Sequence, residues 1–217
     1  MRLLIVLIML FPAIVFASPY EAEDKFIGKC SKTPYIGGNE NYPGRGKIVP
    51  SNKLALPAGK SAYANGQLVY IAGRILDENC VPISDAIVEI WHADPEGNYK
   101  KASLGGRMSP YPYFTGSGRA VTDNLGRFNF VTLFPGTYEE RAPHIHVRVL
   151  HKDFKEFNTE MFFAGDRRNS DDKVFAKVAY DKQSLIAAKV WKRTDQDGGI
   201  AAKWDITIAG KNPYRKF

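Results

Sequence analysis

Short runs in which apolar and polar residues alternate, separated by turn formers, dominate the chain from residue 67 onward. QLVYIAGRIL at 67–76, AIVEIWH at 86–92, RFNFVTL at 127–133, HIHVRVL at 144–150, TEMFF at 159–163 and KWDITIAG at 203–210 have the period-2 pattern or the β-branched and aromatic content of strands. Between them stand DEN, DPEGN, DNLG and PG, whose residues favour turns. The pattern predicts an all-β fold: a β-sandwich core of mostly antiparallel strands with long loops and little helix. The best helical spacing, at 171–189, suits a short amphipathic helix or two turns of irregular structure. Residues 18–64 are rich in Gly, Pro, Asn and Lys and read as an irregular arm laid over a core domain of residues 65–217.

The longest apolar stretch comes first. Residues 1–17, MRLLIVLIMLFPAIVFA, have the layout of a cleaved secretory signal, with cleavage after Ala17 and an apolar centre, Leu3 to Leu10, too short for a membrane span. The expectation is an exported protein, periplasmic or secreted, with no stable membrane insertion. In that compartment Cys30 and Cys80 can form one disulfide, the alternative being two unpaired thiols. A length of 217 residues with 44% hydrophobic and 24% charged composition fits one packed domain and excludes a repeat array or global disorder. The net charge of +7 comes from scattered Lys and Arg, so no nucleic-acid partner is indicated.

Candidate chemistry gathers at residues 144–149. Alternation sends His144, His146 and Arg148 to one face and Ile145, Val147 and Val149 to the other, with the two histidine Cα atoms about 7 Å apart. Both rings can then reach one metal ion, or simply be two histidines on a polar strand face. Upstream, the Pro135-Gly136 turn brings Tyr138 and Arg141 into the same neighbourhood, and Tyr99 follows a Gly-containing loop after the strand that ends near Trp91. Tyr111, Tyr113 and Phe114 can line a pocket for a flat ring or cover the core.

The succession GRILDENCVPISDAIVEIWHADPEGNY, GSGRAVTDNLGRFNFVTLFPGTY and RAPHIHVRV resembles the iron-binding core of the intradiol ring-cleavage dioxygenases, the family of protocatechuate 3,4-dioxygenase and catechol 1,2-dioxygenase. That resemblance implies a non-haem Fe(III) held by Tyr99, Tyr138, His144 and His146. Hard phenolate donors favour a ferric ion, with zinc the second choice of metal. It also implies a catechol-type small molecule and O2 as substrates and a muconate-type diacid as product. In that scheme Tyr138 leaves the metal and accepts a proton, and Arg141 lies beside the bound ring to stabilise negative charge. Only Glu139 and Glu140 separate Tyr138 from Arg141, a compact spacing that looks like the secreted subgroup of the family. Glu160, near where the protocatechuate enzymes have glutamine, can pair with Arg141. His92 reads as a polar residue at a strand end rather than a fifth ligand, and His151 as an exposed loop residue. The second reading of the whole chain is a noncatalytic exported β-sandwich that binds a ligand or a protein.

Overall fold

The computed structural model describes residues 29–37, 42–44, 47–99, 111–194 and 198–211. The apolar segment 1–17, with its expected cleavage after Ala17, lies outside these residues. Nine strands occur among the described residues: β1 (Leu68–Leu76), β2 (Ile87–Trp91), β3 (Ser117–Val121), β4 (Arg127–Leu133), β5 (His144–His151), β6 (Phe154–Phe163), β7 (Ala187–Lys192), β8 (Ile200–Lys203) and β9 (Ile206–Thr207). Pairing follows the order β3-β2-β5-β6-β7-β8-β1-β4, with β9 beside the end of β1. The β6–β7 link is confined to Phe162 with Ala187 and Phe163 with Ala188. The path therefore divides into two layers, β3-β2-β5-β6 and β7-β8-β1-β4. Ile71, Phe128 and Phe130 from one layer and Val88, Ile90, Ile145, Val147 and Met161 from the other are buried in a single cluster, which makes the fold the expected β-sandwich.

β3, β7 and, but for Lys203, β8 lie outside the expected set, and one expected helix is shorter. β3, SGRAV, has little apolar content and owes its strand conformation to antiparallel pairing with β2. β7 takes the last part of the helical pattern at 171–189, because Ala187 and Ala188 hydrogen-bond alongside β6. Helix α1 is left with Lys173–Lys177, between 3-10 turns at Arg167–Asp171 and Tyr180–Leu185. Among the described residues no helix is long and apolar enough to cross a membrane.

The arm is tied to both layers. Thr33 N–H donates to Thr207 O and Ile36 N–H to Asn158 O, while Leu54 and Ala55 are fully buried and Ala55 N–H reaches Val131 O. Cys30 and Cys80 form a disulfide across 50 positions of sequence. β5 is buried on both faces: Ile145, Val147 and Val149 enter the core, and His144, His146 and Arg148 are buried on the other side. His151 corrects an expectation, since it ends β5 with a side chain only 6% exposed. Its Nδ1 accepts the Asp153 N–H, which closes the tight turn into β6.

Candidate metal centre

Three segments of chain supply the donor atoms. β5 carries His144 and His146. The segment between β4 and β5 makes a tight turn in which Arg141 N–H donates to Tyr138 O, with Glu139 at φ +47°. The loop after β2 is shaped by Asp94, whose carboxylate accepts the N–H groups of Glu96 and Asn98. Gly97, at φ +83°, lets these two loops meet: a Cβ there would stand 2.1 Å from Thr137 O. Tyr99 is thereby set against Tyr138.

The four polar ends converge. His146 Nε2 lies 2.9 Å from the Tyr99 hydroxyl, which lies 3.1 Å from the Tyr138 hydroxyl, which in turn lies 3.0 Å from His144 Nε2. His144 Nδ1 is 2.7 Å from the Ala142 carbonyl, which can only accept, so Nδ1 carries the proton and Nε2 presents a lone pair to the site. His146 Nδ1 faces Glu160 Oε1 at 3.4 Å, which favours the same tautomer. Two phenol protons are then shared among three short contacts between four lone-pair-bearing atoms. Such a group suits a cation, because donors about 2.0–2.2 Å from one ion stand about 3 Å apart when they subtend a right angle.

Burial governs the ionisation of these side chains. It pushes the Tyr99 phenol well above its ordinary value, with neighbouring Tyr138 adding to the effect. It lowers His144 to about 4, helped by the charge of Arg141, and holds His146 well below its usual 6.5. Both imidazoles are neutral at pH 7, as metal ligands must be. The Trp91 ring stacks on His146 at 5.1 Å between centroids, and Phe162 lies 5.7 Å from His144, so both rings are walled by aromatics.

Glu160 donor atoms also group with His144 and His146 within 4.8 Å. This carboxylate meets the outer nitrogen of His146 and accepts from Arg141 Nη2, a placement suited to supporting an imidazole. Arg141 is also held by Asp172 at 2.9 Å through Nε. Burial works against its charge, but Glu160 and Asp172 outweigh that and raise its pKa. His92 is fully buried and uses both ring nitrogens within the fold, Nδ1 on Ala93 O at 2.8 Å and Nε2 on Thr132 Oγ1 at 2.7 Å. Phe114 lies in the core beside His92, Tyr111 packs against that core, and Tyr113 is exposed beneath Lys60. Sequence reasoning missed Asp172 and the Trp91 stack. An acid ahead of KVFAK is a legible helix cap, but nothing local points to its partner 31 positions earlier.

The family model described as Dioxygenase matches residues 50–210, beginning inside the arm. The beta chain of protocatechuate 3,4-dioxygenase from Burkholderia cepacia is 28% identical over 156 residues, 68% of this chain and 66% of that one. Catechol 1,2-dioxygenase 2 from Acinetobacter lwoffii is 28% identical over 129 residues, 51% of this chain and 45% of that one. In neither curated relative does the match reach two thirds of the relative's length. Among solved structures, an intradiol ring-cleavage dioxygenase from Tetranychus urticae superposes with a TM-score of 0.62 at 23% identity, covering 87% of this chain and 98% of that one, a likeness of fold. Because the matched segment takes in most of the chain, including every strand among the described residues and all four converging side chains, this protein belongs to the intradiol ring-cleavage dioxygenase family.

Proposed function

We propose that the chain is an exported non-haem Fe(III) dioxygenase that opens catechol-type rings between the two hydroxyl-bearing carbons, with Tyr99, Tyr138, His144 and His146 as the metal ligands. The observation that carries this reading is the chain of 2.9, 3.1 and 3.0 Å contacts joining two phenol oxygens and two imidazole nitrogens. When bound, ferric iron supplies Lewis acidity and an electronic path between a catecholate and dioxygen, so no external reductant is required.

The remaining work falls to side chains. His144 and His146 present neutral lone pairs because Ala142 O and Glu160 hold their outer nitrogens. Tyr99, wedged by the Gly97 turn, keeps its position, whereas Tyr138, ionised in the loaded centre, would accept one proton of the incoming catechol at its phenolate oxygen. Arg141, pinned between Glu160 and Asp172, offers a fixed positive charge to the reacting ring. Trp91 and Phe162 exclude water from the imidazoles. Export is part of the proposal, supported by the apolar pattern at 1–17 and by a disulfide suited to an oxidising compartment.

The purified protein loaded with ferric iron should be red to burgundy from tyrosinate charge transfer, change hue on adding catechol, and consume O2 with catechols. Arg141→Ala should keep the iron and the colour while losing about 100-fold or more in turnover. A preparation that stays colourless and inert after ferric reconstitution supports the noncatalytic binding module instead.

A further inference from the structure

We infer that Asp172 is a positioning residue for the metal centre: one buried carboxylate both starts helix α1 and fixes the supports of the two imidazoles. The inference rests on the function proposed above. Asp172 has no exposed side-chain surface. Its Oδ1 accepts the N–H groups of Val174 at 2.8 Å and Phe175 at 3.0 Å, the ordinary work of a helix cap. Its Oδ2 accepts Arg141 Nε at 2.9 Å and Ala142 N–H at 2.8 Å. A serine would serve as a cap with one oxygen, so the second oxygen is the informative one.

Two routes lead from that oxygen to the donor atoms. Through Ala142, it holds the residue whose carbonyl receives His144 Nδ1–H at 2.7 Å. Through Arg141, it aims the guanidinium whose Nη2 donates to Glu160, and Glu160 faces His146 Nδ1 at 3.4 Å. A packing route runs in parallel, from Phe175 of α1 to Phe162 at 5.0 Å and on to His144 at 5.7 Å. Asp172 thus reaches the centre without touching it, and outer partners of this kind typically contribute 10–100-fold to activity or metal affinity.

Asp172→Ser keeps a cap acceptor and removes Oδ2. In the metal-free protein, the Arg141 Nε–H and His144 Nδ1–H proton resonances should move and exchange faster with solvent, while far-UV circular dichroism stays unchanged. In the iron-loaded protein, kcat should fall about 10–100-fold with KM changed by less than about threefold. In an Arg141→Ala background, the same substitution should cost kcat much less, because part of its effect acts through the arginine. Asp172→Asn, tested alongside, keeps the volume but turns an NH2 group toward one pair of N–H donors whichever way it flips, and should give similar losses. Unmoved resonances with wild-type kcat overturn the inference, as do effects of Asp172→Ser and Arg141→Ala that multiply independently. Failure of both variants to fold makes Asp172 a folding residue and overturns it too. If the unmodified protein takes up no iron, the proposed function falls, and the metal-free resonances still decide what Asp172 positions.

Discussion

Ferric binding at this centre must displace protons, and their number identifies the ligands. The contacts leave a proton on each phenol, Tyr138 facing the His144 lone pair and Tyr99 donating toward Tyr138, and burial pushes the Tyr99 phenol up further. The imidazoles contribute none above pH 6, since His144 is lowered to about 4 and His146 lies well below 6.5. Binding through Tyr99, Tyr138, His144 and His146 therefore releases two protons. Because protons compete with the ion for the phenolate oxygens, apparent affinity rises with pH, by about 100-fold per unit or about 2.7 kcal/mol, between pH 6 and 8. Binding through His144, His146 and Glu160 instead engages two neutral rings and a carboxylate already paired with Arg141, so affinity would hardly change over that range. Competition against a chelator of known pH dependence, read by the visible absorption of the bound form, measures the slope. The logarithm of affinity should climb by two per pH unit in the parent protein and by one in Tyr99→Phe. A slope below one in the parent refutes the tyrosinate ligand set.

Replacing Cys30 and Cys80 by Ser opens a loop of 50 positions and should cost about 4 kcal/mol at 25 °C, read as a lower denaturant midpoint; a loss under about 1 kcal/mol contradicts the chain-entropy account. Gly97→Ala would force a Cβ to 2.1 Å from Thr137 O at φ +83°. It should cost roughly 1–3 kcal/mol and lower iron uptake by displacing Tyr99, with normal uptake counting against the role given to that loop. Phe162→Ala removes a fully buried ring between His144 and Phe175; urea unfolding should show a loss of about 3–5 kcal/mol, and a loss below about 1 kcal/mol would mean that the ring bears little of the packing.

The strands legible in the sequence are those whose pattern matches their burial. HIHVRVL alternates because Ile145, Val147 and Val149 enter the core, yet the pattern does not reveal that the opposite face is buried as well. That face is closed by groups distant in sequence: Tyr42 lies over Arg148, and Arg148 shares Glu89 with Arg119. β3, β7 and β8 were hidden because pairing, rather than side-chain character, makes them strands. The same division applies to the site. Alternation alone brings His144 and His146 together, whereas Tyr99 and Tyr138 meet only because Asp94 and Gly97 lock one loop against the other. Motif resemblance found the tyrosines where periodicity could not. It also raised the pairing of Glu160 with Arg141, but the approach of Glu160 to His146 and the whole contribution of Asp172 depend on where β6 and α1 end up in space.

Charge balance links these pieces. Around the donor atoms, Arg141 carries one positive charge and Glu160 and Asp172 one negative charge each, leaving the surroundings one unit negative while the phenols are neutral. Asp172 stays ionised despite its burial because the Phe175 and Ala142 N–H groups and Arg141 hold its pKa below the ordinary value. Ionising both tyrosines brings the group to three units negative, which a trivalent ion neutralises and a divalent one does not. With His144, His146, Glu160 and Asp172 buried and the two tyrosines half-buried, an uncompensated charge is disfavoured there, so the bracket around Arg141 supports the proposed ferric ion over zinc independently of the hardness of the phenolates. A glutamine at position 160 would leave the surroundings neutral and the loaded centre one unit positive. In the proposed reaction Glu160 thus restrains Arg141 as a stabiliser of developing negative charge, and at the same time its own charge supports the proposed 3+ ion.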